Sequence, residues 1–428
     1  MNTVLAFYRL PVLFLWVFLF SGASFLMAQN ESGDGDDGGS YGEASYIAYI
    51  SISGLGRTRF STAERPLRRF IGMETGQITQ DEVFAAIMAT GIMEPISVEI
   101  DGQVLRVEVR ERWTIFPIPV AMGGTGGAGG GLAFLDANAF GLNDQLFLAG
   151  FFHSDGWAVS AGYIRSSRGG RAPGWSGVAS FSRGERHDRD QNNNALRSFD
   201  LDAISVHTGI GFPLIADSDF LTASALLSFN DRRMRNRADA ERYGMDRNLR
   251  LFGAGAEFAV RRNHWDGYFL SQEAASARYF FHADFDRTSF QSVQIRGVWE
   301  RSLIPGFRFN LRSGIVFMPD APVLFESSPS AAQVNILPRD FSARNYAGLS
   351  AGLEKRIFRI NAGTLSVTAS YQAVYSYSPI LGDYVDHGIM GALFFYLNRL
   401  ALPALGLGVA YNVNKNFPQA FFSFGMSF

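Results

Sequence analysis

The chain has 428 residues, 38 Lys and Arg against 40 Asp and Glu, and a net charge of −2, a balance that offers no bulk attraction for nucleic acid. It contains no cysteine, which excludes disulfides, thiolate metal sites, cysteine catalysis and a lipid anchor on cysteine. Mean hydropathy is +0.03, as in a soluble protein, yet Phe, Trp and Tyr make up 14% and 46 residues are glycine. A β-barrel hides its membrane character in this way, because half of every strand faces away from lipid.

Met1 to Ala28 reads as a secretory signal peptide: Arg9 is the positive residue, Leu10–Phe20 the apolar run, and Ser21–Ser24 the small residues before cleavage. Residues 29–43 form a flexible acidic Gly/Ser-rich linker with little to bury. Asp34, Asp36 and Asp37 lack the downstream acidic ligand that a Ca²⁺ loop uses. No run of 18 apolar residues occurs beyond the linker, so helical membrane spans are not expected there.

From residue 44 to 112 the pattern is that of a small α+β domain. A strand covers Tyr46–Ser53, and a first helix covers about Thr62–Ile71, with Pro66 marking the start of its regular part rather than its interior. A second helix opens on the capping box Thr79–Glu82, buries Val83, Phe84, Ile87 and Met88, and stops at Gly91. Strands Ile96–Ile100 and Val104–Arg110 come next, joined by the hairpin signal Asp101-Gly102. Two prolines in the junction Trp113–Pro119 are expected to stiffen the entry to the strands of 113–428 and to keep this small sheet from continuing into them.

Residues 113–428 divide into sixteen segments of about 20 residues, each a strand of roughly ten with its connection. Their centres fall near 120, 131, 149, 161, 179, 205, 226, 254, 275, 294, 312, 352, 371, 393, 409 and 423. Gly363–Tyr377 is the clearest. Leu365, Val367, Ala369, Tyr371, Ala373, Tyr375 and Tyr377 share one face, and Thr364, Ser366, Thr368, Ser370, Gln372 and Ser376 the other. Val374 is the one apolar residue on the polar face. Connections alternate between short ones, as periplasmic turns are, and longer polar ones near 184–195, 232–246 and 318–344, as surface loops are. The expected fold is membrane all-β: a 16-stranded antiparallel transmembrane β-barrel preceded by one small β-α-α-β-β domain.

The order β-α-α-β-β, with Ile50–Gly54, Arg57-Thr58, Thr75–Thr79, Ile92–Ile96 and Val107–Trp113 as landmarks, resembles a polypeptide-transport-associated (POTRA) domain. The last strand, Phe421–Phe428, alternates and closes on Phe428, which resembles the insertion signal of bacterial outer-membrane barrels. Together these features resemble the BamA/TamA-type outer-membrane assembly superfamily, as a bacterial surface antigen barrel with a single POTRA domain. The resemblance implies an outer membrane of a diderm bacterium, a periplasmic POTRA domain, and partners that are unfolded outer-membrane or secreted polypeptides, outer-membrane lipid and periplasmic accessory proteins. It implies no cofactor, no metal and no catalytic residue.

In that superfamily the sixth outer loop folds into the barrel on an arginine that pairs with a lumenal acid. Here the motif residues are Arg339, Asp340 and Phe341, with Asp340 in place of the usual glycine. Glu354 and Glu300 are candidate partners, and Gln372 stands where an acid is common. An ordinary surface-loop arginine is the alternative. Gly123, Gly124, Gly126, Gly127 and Gly129 lie across the first barrel hairpin. They suit a weak first strand that parts from the strand ending in Phe428, giving a lateral seam, or else a tight hairpin that needs glycine for space. The small domain captures extended clients by strand addition, or serves as a spacer. Gly348–Gly352 matches the Gly-x-Ser-x-Gly elbow but sits in mid-strand, so Ser350 is read as a small lumen-facing residue. Six scattered histidines show no metal-ligand spacing. The function expected is insertion or translocation of polypeptides, and the competing one is a pore or structural barrel with a plugged lumen.

Overall fold

The computed structural model describes residues 45–124, 127–165, 172–190, 192, 194–215, 218–243, 245, 248–265, 269–284, 288–326, 334–338, 341–379, 381–397 and 404–424. The expected signal peptide and linker lie outside them, as do Gly126, Arg339, Asp340 and Phe428.

Strand β1 (Tyr49–Ser53) opens the small domain, followed by α1 (Phe60–Glu64), a 3₁₀ turn over Arg65–Phe70, α2 (Gln80–Met88), β2 (Met93–Asp101) and β3 (Val104–Glu111). The first helix is not one regular helix over 62–71. Pro66 cannot donate the hydrogen bond that would continue α1, so the chain tightens into the 3₁₀ turn. The capping box at α2 is present, with Glu82 N–H on the Thr79 hydroxyl at 3.3 Å and Thr79 N–H on the Glu82 carboxylate at 3.1 Å. β3 is central, parallel to β1 and antiparallel to β2. Leu67, Phe70, Val83, Ile87, Leu105 and Val107 form the core between this sheet and the helices.

The second sheet has sixteen strands in chain order, each antiparallel to the next. They are β4 (Ile115–Gly124), β5 (Gly127–Ala139), β6 (Asp144–His153), β7 (Gly156–Arg165), β8 (Gly174–Arg189), β9 (Ala195–Ile215), β10 (Ser218–Met234) and β11 (Asn248–Trp265). Then come β12 (Leu270–Ala283), β13 (Ser289–Ile304), β14 (Phe307–Phe317), β15 (Asn345–Ile360), β16 (Gly363–Ser378), β17 (Gly382–Leu397), β18 (Leu405–Asn412) and β19 (Phe417–Phe424). Every expected centre falls inside its own strand. A short helix α3 (Arg237–Tyr243) sits in the β10–β11 connection.

Burial in this sheet is inverted relative to a soluble protein. Along β16 the polar Ser366, Thr368, Ser370, Gln372 and Ser376 are buried, while Val367 and Tyr371 are exposed. Leu148, Leu227, Phe258, Ile389, Leu407 and Val409 are likewise exposed on other strands. A polar inner face and an apolar outer face are the pattern of strands that meet lipid on one side; none of the described helices is long and apolar enough to cross a membrane.

The small sheet does not run on into the large one; Pro117 and Pro119 lie within β4, opposite Phe134 and Leu132 of β5. A proline is tolerated in a sheet where its missing N–H faces a free edge, and β4 is an edge strand. Pro418 stands in the other edge strand, β19. β4 and β19 approach each other, yet no ladder joins them among the described residues.

Candidate functional site: the sixth loop and the interior it fills

The connection between β14 and β15 is the sixth at the end of the sheet away from the small domain. Where described, it runs inward. Leu324, Val334, Ile336, Leu337, Phe341 and Ala343 are buried in one apolar cluster that draws on β9, β10, β11 and β13–β18. Val374, the one break in the alternation of β16, belongs to this cluster, so its apolar side chain faces the loop rather than water.

Polar contacts fix the loop from opposite parts of the sheet. On one side, Arg186 of β8 donates to the Leu324 carbonyl at 3.2 Å, the Glu326 carbonyl at 3.3 Å and the Ser342 hydroxyl at 3.2 Å. Arg232 of β10 also donates to the Leu324 carbonyl and stacks over the Phe325 ring at 4.8 Å. Glu326 pairs with Arg197 of β9 at 3.2 Å and with Arg344 at 3.1 Å, while Asp188 pairs with Arg186 and Arg197, both at 2.8 Å. On the other side, Gln372 of β16 accepts the Asn335 N–H at 2.8 Å, and Asn412 of β18 donates to the Ile336 carbonyl at 3.0 Å. One loop meets β8–β10 and β16–β18 together only if the sheet curls around it.

Phe341 is buried, bridges to Arg189 of β8, and packs 6.1 Å from the Tyr384 ring of β17. Gln372 lies at the loop, where its side chain holds backbone. Glu300 and Glu354 lie elsewhere, toward the small-domain end, and are met by arginines of β14. Arg308 reaches Glu300 at 3.1 Å and Glu354 at 2.5 Å, and Arg312 reaches Glu300 at 2.7 Å. Glu354 also accepts from Tyr396 at 2.7 Å and from the Ser366 hydroxyl. Sequence reading missed Asp386 of β17, which is fully buried. Its only signal was an acid within a strand, two residues beyond the Tyr384 that meets Phe341.

Gly123 and Gly124 lie in β4 and Gly127 and Gly129 in β5, in unbroken register. A Cβ on Gly129 would sit 2.6 Å from the Phe152 carbonyl oxygen, so at this position glycine is needed for space. Ser350 is buried in the middle of β15, 3.5 Å from the Gln372 amide nitrogen, and not on a strand-to-helix turn. The histidines are less scattered than the sequence suggests, since pairing of β7 with β8 brings His153 and His187 to one carboxylate, Asp155, at 3.1 and 3.7 Å. Among the described residues no three such side chains form a group that could hold a metal.

At the opposite end, the loop after β1 grips the first strands of the large sheet. Glu111 accepts from the backbone N–H groups of Gly56, Arg57 and Thr58 at 3.1, 2.8 and 2.6 Å. Burial pushes the Glu111 carboxyl up, but these bonds outweigh it and hold the group below its usual range. The loop so fixed aims Arg57 at Asp136 of β5 in a two-point contact of 3.0 and 2.5 Å. Thr58 accepts from Asn138 at 2.9 Å, and Arg59 N–H donates to the Gly141 carbonyl at 2.9 Å. Gly141 has φ +73° and meets the Arg57 carbonyl where a Cβ would lie, which requires glycine twice over.

No protein-family model and no curated protein sequence matches the chain. Solved structures do. CdiB from Acinetobacter baumannii matches over 89% of this chain and 74% of that one, at 12% identity and a TM-score of 0.55. At this identity the likeness is one of fold. CdiB from Escherichia coli matches 92% of this chain and 90% of that one at 12% identity and a TM-score of 0.49. BamA from Haemophilus ducreyi lacking POTRA domains 1–3 matches 90% of this chain and 84% of that one at 14% identity and a TM-score of 0.46.

Proposed function

We propose that this chain inserts or translocates polypeptides at an outer membrane, as a closed 16-stranded barrel with one periplasmic POTRA domain. The observation that carries the reading is the pair of proline-bearing edges. Pro117 and Pro119 in β4 and Pro418 in β19 each remove a donor that would face the other edge, and no ladder joins the two strands among the described residues. A seam with few bonds parts easily, and its unpaired groups template a client hairpin, whose own unpaired groups in lipid cost several kcal/mol each. The POTRA domain supplies extended clients by strand addition, and the clients are unfolded outer-membrane or secreted polypeptides. No cofactor, metal or catalytic residue takes part.

The sixth loop is the resting lock. Glu354, toward the small-domain end, is taken by Arg308, Ser366 and Tyr396, whereas Asp386 is fully buried on β17, the strand whose Tyr384 packs against Phe341. Asp386 is therefore the proposed partner of Arg339.

The test is the rate at which proteoliposomes holding this chain fold a urea-unfolded outer-membrane barrel. Replacing Pro117 and Pro119 by Val restores two donors toward β19 and should slow client insertion several-fold with the host barrel intact. An unchanged rate argues against the seam. A pore with a plugged lumen would leave client folding at the rate of empty liposomes.

A further inference from the structure

Phe269, immediately before β12, is fully buried although it belongs to a connection at the small-domain end of the sheet. The Arg308 guanidinium of β14 lies 4.7 Å from its ring centroid. The Tyr396 ring of β17 meets it edge-on, at 5.7 Å between centroids and 67° between planes. β13, β14, β15 and β16 separate β12 from β17. Neighbouring strands stand about 4.8 Å apart, so two wall residues five strand steps apart do not ordinarily touch. Phe269 must lean across the opening to do so.

Its seat is rigid. Arg308 is held by Glu300 and Glu354, and Glu354 by Tyr396 and Ser366; all but the half-buried Tyr396 are buried. A guanidinium with both flanking carboxylates engaged presents its face, not its edge, to an aromatic ring, and the ring's negative face is what it attracts.

We propose that Phe269 is a stopper that closes the small-domain mouth of the interior, seated on Arg308 and Tyr396 and independent of the sixth-loop plug at the other mouth. The inference rests on the barrel reading above. It gives the resting interior two seals with Ser370 of β16 between them: Gln372 on one side takes the sixth loop, and Ser366 on the other donates to Glu354. Release of one seal does not open a through-path, so a client is routed to the lateral seam rather than through the middle.

The chain has no cysteine, so Ser370→Cys supplies a sole thiol. The experiment measures its labelling in proteoliposomes by a small hydrophilic methanethiosulfonate added to the small-domain side. Phe269→Ala should raise the labelling rate by about ten-fold or more, because the thiol becomes reachable without a global opening. Phe269→Leu, which keeps most of the volume, should stay near the parent rate, and labelling from the loop side should not change in either variant. Equal rates for Phe269→Ala and its parent, with both variants resistant to unfolding in detergent, overturn the stopper. Fast labelling in the parent itself would instead overturn the barrel reading.

Discussion

Phe341 sits at the centre of the sixth-loop contact, 1% exposed, against Tyr384 and the apolar cluster. Cutting such a ring back to Ala removes about 3–5 kcal/mol of packing. The other anchors, the Glu326 ion pairs and the bonds from Gln372 and Asn412, remain. The loss therefore falls on loop docking rather than on the strands, whose ladders Phe341 does not join apart from one bridge to Arg189. At 1.4 kcal/mol per factor of ten, the undocked population should rise roughly a hundred-fold to a few thousand-fold. Ala343, fully buried beside it, becomes the reporter as Ala343→Cys, again the only thiol in the chain. Its labelling from the loop side should accelerate by that factor in Phe341→Ala, up to the rate of a fully exposed thiol, while heat resistance of the barrel is kept. An acceleration below about five-fold would mean that the loop is not held by this packing.

Arg57→Ala should loosen the small domain from β5 by about 1–3 kcal/mol, because Asp136 is buried and keeps only Thr114 and the Asn138 N–H. Hydrogen exchange at 55–59 reads this, and a cycle with Asp136→Ala should show coupling of about 1 kcal/mol; additive effects would refute the clamp. The folded Glu111 carboxyl titrates below the ordinary 4.5, so its contribution is complete above that value and is lost as pH falls through the lower folded one. Protection of 56–58 should therefore fall in that acid range for the parent and stay flat for Glu111→Gln; identical profiles would contradict the assignment. Glu354→Leu should destabilise the barrel by about 3–5 kcal/mol in denaturant, since it strips a buried Arg308 of one carboxylate. A loss under about 1 kcal/mol would show that the cluster is well hydrated.

Much of the fold was legible because a strand repeats every two residues and lipid inverts the usual burial. Gly363–Tyr377 showed both walls, and even its exception, Val374, marked the place where the loop lies. The capping box at Thr79 was equally local. What failed was also physical. Pro66 was read as the start of a regular helix, whereas its missing donor leaves only a 3₁₀ turn after α1. Partner choice inside the barrel was not legible at all: a period assigns a side chain to a face, but the curl of sixteen strands decides that Glu300 and Glu354 meet Arg308 and that Gln372 meets Asn335. The loop that Glu111 fixes brings Arg57 to Asp136, a contact between two periods that no spacing rule connects.

The proposed role of this chain is assembly or export of other polypeptides at the outer membrane. It is tested most directly by depleting it from cells that make it and quantifying all other outer-membrane barrels and surface proteins by mass spectrometry. Their folded amounts should fall, broadly for a general assembly factor and for only a few surface proteins in the case of a dedicated translocator. Unchanged levels of all of them after complete depletion would contradict this role and leave a plugged structural barrel in its place.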